Sequence, residues 1–241
     1  ERMNQRAAQL GMADTTFLNC TGLPAPGHLT SAYDIALMSR ELILCHPGIR
    51  EFTTIWMDSL RDGAFQLSNT NKLIRFYDGA TGLKTGFTAS AGYCMSATAE
   101  RDGMELIAVV MKSPTSEKRN ESAKSMLSFG FANYTVLDVH PPQALPPVDV
   151  LLGEAPTVQP TLAQNGRILL QRSQVNSVET AISLCPNVEA PVEQGQKLGT
   201  LTVTVDGQER QVIDIVAAQA VERLTLPHIF QDLLGQFFMA K

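Results

Sequence analysis

Residues 82–111 read GLKTGFTASAGYCMSATAERDGMELIAVVM, in which two strand-like runs flank a sharp turn. The turn is Asp102-Gly103, a pair that favours a two-residue hairpin because both positions need a positive φ. The run Leu106–Val110 is continuously apolar, which predicts a central strand buried on both faces. The stretch therefore predicts an antiparallel β-hairpin, preceded by an edge strand that carries Lys84-Thr85-Gly86.

The remainder of the chain predicts an α+β protein with two domains. A helix is expected from about residue 31 to Pro47-Gly48, and another from about Ser116 to Tyr134. Prolines cluster in residues 141–147, which indicates a stiff extended linker. Beyond it, Leu201–Val205 alternates with period two, and Asp206-Gly207 and Asn165-Gly166 are turn signals. The predicted domains are 1–140, a linker 141–147, a small all-β domain 148–224, and an amphipathic helix 225–241.

Composition excludes several classes of function. The net charge of −5 argues against a nucleic-acid partner, because such a surface needs a basic face. No apolar stretch has the ~18 residues that a membrane-spanning helix needs. The four cysteines have wide, irregular spacing that fits no zinc site, so no metal or other cofactor is expected. They are interpreted as free thiols, with disulfides left open if the protein is extracellular.

Lys84-Thr85-Gly86 is the sharpest chemical signal in the chain. A Lys-Thr-Gly triplet is typical of serine enzymes that recognise penicillin. Lys84 supplies a positive charge, Thr85 and Thr88 supply hydroxyl donors for a carboxylate, and Gly86 permits close approach of a substrate backbone. From the triplet alone, an ordinary exposed strand with a surface lysine explains the sequence as well.

Segments beyond the triplet decide between these interpretations. Nearly the whole chain resembles, in order and spacing, the serine D-alanyl-D-alanine carboxypeptidases, which are low-molecular-mass penicillin-binding proteins. The matching segments are Leu10–Met12, Thr15–Asn19, Thr21–Leu23, Asn69–Leu73, Ala91–Cys94, Ala99–Met104, Ser128–Phe131, Gly195–Gly199 and Val216–Ala218.

The resemblance implies a partial β-lactamase/transpeptidase-like domain, an antiparallel sheet with flanking helices, followed by the small β domain. It implies a parent enzyme that binds β-lactams and removes the terminal D-alanine of peptidoglycan stem pentapeptides through a serine ester. The backbone N–H of Phe87 is then an oxyanion-hole donor. Lys118 competes with Arg119 for the place of a basic residue after the last strand. The substrate-binding residues implied are Lys84, Thr85, Gly86, Thr88 and Arg119.

Two motifs of that family are absent from these residues. No serine has a lysine three positions later, and no Ser-x-Asn occurs, so the chain holds neither nucleophile nor catalytic base. Glu1–Leu10 resembles the middle of a helix, which favours truncation over natural loss. This chain alone is therefore expected to be inactive. Pairing with the missing N-terminal fragment or with another copy is expected, and a non-catalytic cell-envelope module is the alternative.

The tail has an apolar face made of Ile229, Phe230, Leu233, Leu234, Phe237 and Phe238. An in-plane membrane anchor, as the resemblance implies, and a helix packed on the β domain are both compatible with this pattern. The anchor is the preferred interpretation. It predicts an extracytoplasmic protein on the outer face of the cytoplasmic membrane.

Overall fold

The computed structural model describes residues 1–230, and the chain separates into two units, Glu1–Tyr134 and a second that begins at Thr135. A 3-10 helix, Pro47–Ile49, precedes the third α-helix of the first unit. In chain order, the first unit contains α1 (Arg2–Gln9), α2 (Ala32–Cys45), α3 (Arg50–Thr53), β1 (Met57–Leu60), β2 (Phe65–Ser68), α4 (Leu73–Phe76), β3 (Ala80–Thr88), β4 (Gly92–Arg101), β5 (Met104–Ser113) and α5 (Ser116–Asn133).

Strands β3, β4 and β5 form one antiparallel sheet in that order. The turn between β4 and β5 has φ of 50° at Asp102 and 73° at Gly103, which confirms the predicted hairpin. Arg101 pairs with Met104 directly across this turn. Strand β3, with the Lys-Thr-Gly triplet, lies at one end of the sheet.

The prediction that Leu106–Val110 forms the central strand is wrong. Within residues 1–230, β5 lies at the other end of the sheet, and β4 is central. Helices cover both faces instead. Ser39 of α2 hydrogen-bonds Ser96 on one face, with 2.7 Å between the hydroxyl oxygens, whereas Gly130 of α5 packs against Leu106 on the other. Under these helices Ala108 and Val110 are buried, whereas Leu106, Ile107 and Val109 are half-buried.

The second unit consists mainly of strands, with a 3-10 helix at Arg172–Ser177. The strands are β6 (Tyr134–Val139), β7 (Val148–Leu151), β8 (Thr157–Val158), β9 (Pro160–Leu162), β10 (Gly166–Gln171), β11 (Val178–Leu184), β12 (Asn187–Glu189), β13 (Lys197–Val205) and β14 (Gln208–Ala217). Four strands form the sheet β11-β13-β14-β9, three form β12-β7-β8, and β10 pairs with β6. The pair β7–β12 is parallel, so the domain is not wholly antiparallel as predicted.

Strands β13 and β14 form the predicted second Asp-Gly hairpin. Asp206 has φ of 53° and Gly207 has φ of 75°, as a tight turn between twisted strands requires. Alternate residues point inward, which follows from the two-residue period of a strand. The core cluster on this face contains Val139, Leu145, Leu201, Val203, Ile213 and Ile215.

Asn165-Gly166 separates two strands that do not pair with each other. Strand β9 pairs with β14, whereas β10 pairs with β6. A Cβ on Gly166 would lie 2.5 Å from the carbonyl oxygen of Val139, so this glycine permits the close approach of β10 to β6. Asn165-Gly166 therefore lies where the chain passes from one sheet to another, and it does not form a hairpin turn.

The Pro-rich residues 140–147 contain no helix or strand. The structure places its division at Tyr134, because β6 pairs with β10 of the second unit. The domain limits inferred from the sequence remain predictions. Residues 226–230 are helical, and the rest of the predicted tail helix lies outside the described residues. No helix in residues 1–230 has the length and apolar character needed to cross a membrane.

Candidate functional site

The Lys-Thr-Gly triplet lies on the free edge of β3. Strand β4 pairs with one side of β3, with Thr85 opposite Met95 and Gly86 opposite Cys94. No strand within residues 1–230 pairs with the other side. A Cβ on Gly86 would meet no atom within 4 Å, so a ligand has open space beside this residue.

Lys84 is exposed on this strand. Its Nζ donates a hydrogen bond to the carbonyl oxygen of Thr85 at 2.5 Å. The ammonium group therefore lies against the backbone of the triplet, where its charge can attract an anion bound at the edge of β3.

Thr85 is buried, and its hydroxyl contacts a second hydroxyl. The Oγ1 atoms of Thr85 and Thr70 are 2.5 Å apart, and Thr70 itself is exposed. The segment around Thr70 is fixed to β3, because Asn71 Nδ2 donates to the carbonyl oxygen of Gly82 at 2.7 Å. Asn69 Nδ2 also donates to the carbonyl oxygen of Ile55 at 2.9 Å.

Arg119 reaches the same place from the first turn of α5. Thr115 caps this helix by accepting a hydrogen bond from the Lys118 N–H. Arg119 is 5% exposed, and its Nη2 donates to the carbonyl oxygen of Thr70 at 3.4 Å. Its guanidinium lies 6.0 Å from the centre of the Tyr93 ring.

Arg119 carries a buried positive charge. Burial lowers the pKa of its guanidinium, because the charged form loses solvation. An arginine nevertheless keeps its charge at neutral pH. Lys118 is exposed, and so the structure brings Arg119, not Lys118, beside Thr70.

Phe87 and Thr88 end the strand. The Phe87 ring is 59% exposed and lies 4.4 Å, centre to centre, from the Tyr93 ring. Thr88 Oγ1 accepts a hydrogen bond from the Ala91 N–H at 3.0 Å and lies 3.3 Å from Ser90 Oγ. Thr88 thus holds the turn into β4. Its role in substrate binding, and that of the Phe87 N–H as an oxyanion donor, stay predictions.

The structure thus joins Thr85, Thr70 and Arg119 through direct contacts, with Tyr93 and Phe87 alongside. This arrangement offers a hydroxyl, a cation and an open strand edge, which together suit a carboxylate. Thr70 is not among the site residues that the sequence predicts, although it lies within the matching segment Asn69–Leu73. The sequence gives only a weak indication of a role for Thr70, because its partner, Thr85, is 15 residues away along the chain.

The four cysteines, Cys20, Cys45, Cys94 and Cys185, are all free thiols. Cys94 is closest in register to the triplet, opposite Gly86. Its Sγ donates to the carbonyl oxygen of Ala91 at 3.3 Å and accepts from the Lys112 N–H at 3.5 Å. These contacts place the Cys94 thiol between β4 and β5, which indicates a structural role.

Known protein families match both units. Residues 1–115 match the family model of the D-alanyl-D-alanine carboxypeptidases, and residues 143–223 match that of the penicillin-binding protein 5 C-terminal domain. The D-alanyl-D-alanine carboxypeptidase DacF of Bacillus subtilis is 39% identical over 245 residues, which cover 98% of this chain and 62% of DacF. The chain spans little more than half of DacC of Escherichia coli, at 29% identity.

Solved structures agree with these matches. Penicillin-binding protein 5 of Haemophilus influenzae aligns with a TM-score of 0.67 and 26% identity, covering 92% of this chain and 65% of that protein. Penicillin-binding protein D2 of Listeria monocytogenes, in its cefotaxime-bound form, aligns with a TM-score of 0.50 and 39% identity. That alignment covers 54% of this chain and 53% of the other. The chain belongs to the D-alanyl-D-alanine carboxypeptidase family and carries a C-terminal domain of the penicillin-binding protein 5 type.

Proposed function

We propose that this chain is the carboxylate-binding part of a serine carboxypeptidase that removes the terminal D-alanine from peptidoglycan pentapeptides. The observation that carries the proposal is the open edge of β3 at Gly86, with the hydroxyl of Thr85 and the guanidinium of Arg119 joined through Thr70. The names of the relatives support the reaction. The Listeria relative, described in cefotaxime-bound and ampicillin-bound forms, supports β-lactam binding.

In this proposal the chain's own residues bind and orient the peptide. Thr85 donates a hydrogen bond to the terminal carboxylate, and Lys84 and Arg119 supply positive charge. The extended substrate lies along the free edge of β3, where Gly86 leaves room for its backbone. The N–H of Phe87 stabilises the oxygen that becomes negative when the carbonyl is attacked.

The attacking oxygen comes from a serine outside these 241 residues. That serine forms an ester with the penultimate D-alanine, the C–N bond breaks, and the terminal D-alanine leaves with a proton. Water then hydrolyses the ester and restores the serine. Because the chain contains no Ser-x-x-Lys, it binds substrate in this scheme but does not turn it over.

Labelling with a fluorescent penicillin tests the proposal. A longer form of the protein that includes a Ser-x-x-Lys motif should acquire a covalent label and release D-alanine from a pentapeptide, whereas the 241-residue chain should do neither. If the longer form resists labelling and leaves the pentapeptide intact, the enzyme proposal is wrong. Labelling of the short chain would contradict the assignment of the nucleophile to another segment.

A second part of the proposal places the protein at the outer face of the cytoplasmic membrane, held by its tail. The start of the tail supports this, since residues 226–230 are helical, Leu226 is 82% exposed and Phe230 is 65% exposed. Co-sedimentation with anionic lipid vesicles tests it, comparing the chain with a form that ends at residue 225. The tail is expected to increase the bound fraction, and equal binding would rule out the anchor.

A further inference from the structure

Two hydroxyls at the edge of the site share one hydrogen bond. Thr70 Oγ1 and Thr85 Oγ1 are 2.5 Å apart, and either can be the donor. Each threonine hydroxyl has a single hydrogen and two acceptor lone pairs. One of the two hydrogens is therefore used within the pair, and the other is left for a different acceptor.

The direction of this bond decides what a ligand meets at Thr85. If Thr85 donates to Thr70, the Thr85 oxygen presents only a lone pair to an incoming anion, which is repulsive. If Thr70 donates to Thr85, the Thr85 hydrogen is free for a carboxylate oxygen. A bound carboxylate favours the second direction, because a hydrogen bond to a charged acceptor is the stronger kind.

Thr70 is fixed well enough to act in this way. Its carbonyl oxygen accepts from Arg119 Nη2, so one residue contacts both the buried cation and the Thr85 hydroxyl. Its neighbours are also held, because Asn71 is hydrogen-bonded to the carbonyl oxygen of Gly82 on β3 and Asn69 Oδ1 accepts from the Asn71 N–H. The backbone at Thr70 therefore has little freedom to move away from Thr85.

We propose that Thr70 is a positioning residue for carboxylate recognition. It donates its hydroxyl hydrogen to Thr85 and so directs the Thr85 hydrogen at the free acid of a peptide or penicillin. This inference rests on the proposed function. It assigns to Thr70 a role that acts only through Thr85, with no contact between Thr70 and the reacting bond.

The test compares an acid with its ester in the longer, penicillin-reactive form of the protein. Thr70→Val removes the hydroxyl and keeps the shape of the side chain. The second-order acylation rate with a penicillin should fall about fivefold, the value of one ordinary hydrogen bond. The rate with the penicillin methyl ester, which lacks the carboxylate charge, should not change. With a pentapeptide, KM should rise and kcat should stay the same.

Two further variants separate positioning from structural damage. Thr70→Ser keeps the hydroxyl and should restore the wild-type ratio of acid to ester rates. Thr81→Val removes a hydroxyl from β3, the strand that carries Thr85, where Thr81 Oγ1 lies 2.8 Å from Thr98 Oγ1 and 3.0 Å from Glu105 Oε1, and should affect acid and ester equally. If Thr70→Val fails to fold, Thr70→Ala carries the same expectation.

The outcomes are distinct from those of the proposed function. If the wild-type protein does not react with penicillin, the proposed function fails and this inference fails with it. If the wild type reacts but Thr70→Val slows acid and ester equally, or slows neither, the positioning role alone is wrong. Failure of Thr70→Ser to restore the ratio would also overturn it.

Discussion

Two glycines four residues apart on β3 have opposite surroundings. At Gly86 the backbone faces open space, whereas a Cβ on Gly82 would lie 3.1 Å from Thr53 Oγ1 and 3.2 Å from Thr98 Oγ1. Neither glycine has the positive φ that only glycine adopts easily. In the proposed function the first glycine leaves room for a ligand, whereas the second permits close packing against Thr53 and Thr98.

Alanine at each position should separate these roles. Gly86→Ala should leave the unfolding temperature of the protein almost unchanged, while penicillin acylation of the longer form falls about tenfold or more, because the methyl group occupies space beside the strand that the ligand needs. Gly82→Ala should cost about 1–2 kcal/mol of stability, because its neighbours must move. Thermal unfolding and acylation rates measure the two effects. A large loss of stability in Gly86→Ala would contradict the open edge.

At the scale of elements, the β13–β14 turn holds the 3-10 helix Arg172–Ser177. Hydrogen bonds from the side chains of Ser177 and Gln174 lower the pKa of the Asp206 carboxyl. The Gln174 Nε2 donor lies 2.8 Å from Asp206 Oδ2, and the Asp206 N–H donates to the carbonyl oxygen of Ser177. The charged form of Asp206 therefore connects the turn to the preceding helix.

This contact should make stability depend on pH. Because the pKa of Asp206 is lower in the folded state, its contribution is complete above the ordinary value of 3.8 and is lost as the pH falls through the lowered folded pKa. The difference in unfolding temperature between wild type and Asp206→Asn should shrink as the pH falls from about 5 to about 2. Circular dichroism at a series of pH values measures this.

The matched control is Asp102→Asn. It makes the same change at the corresponding position of the β4–β5 turn, away from Gln174 and Ser177. Asparagine tolerates the positive φ at both sites, so turn geometry is retained in each variant. A pH-independent difference between wild type and Asp206→Asn would refute the role assigned to this carboxylate.

Local signals predicted the elements that depend on neighbours in sequence. The turns at Asp102-Gly103 and Asp206-Gly207 follow from their own φ requirements, and both hairpins form. The position of β5 depends on contacts with α2, which lies far upstream, and with α5, which directly follows it. A continuously apolar run indicates that both faces of a strand contact other elements. It does not predict which strand, if any, pairs with each edge.

The sequence likewise predicted those residues of the candidate site that form a contiguous motif. Lys84, Thr85 and Gly86 form a contiguous motif, so they were found from the sequence. Arg119 was found with Lys118 as a competitor, and only burial and contacts distinguish them. Thr70 belongs to no motif that the sequence reveals. Its proposed role depends on the Thr85 hydroxyl, which the fold brings next to it.

At the scale of the whole molecule, each unit has buried apolar residues of its own. Leu127 on α5 is 1% exposed in the first unit, and Ile213 on β14 is 0% exposed in the second. The chain has a single tryptophan, Trp56, which belongs to the first unit. Its fluorescence therefore reports on one unit, while far-ultraviolet circular dichroism reports on both.

Truncation of either core should affect its own unit. Ile213→Ala should destabilise the second unit by about 3 kcal/mol and leave the Trp56 fluorescence transition in place. Leu127→Ala should shift the Trp56 transition by a similar amount. Denaturant titrations followed by both signals measure the effects. If both variants move both signals together, the two units unfold as one.

No strand of the described residues pairs with the outer edge of β3, and this has a consequence for selectivity. Main-chain N–H and C=O groups are the same in every residue, so a peptide that aligns with this edge is held through features that carry no side-chain information. Selectivity among peptides then depends on the few groups around Thr85 that bind a free carboxylate at the end of the peptide. We expect the protein to tolerate varied residues upstream in the peptide while rejecting an amidated end, and a panel of donor peptides would show whether it does.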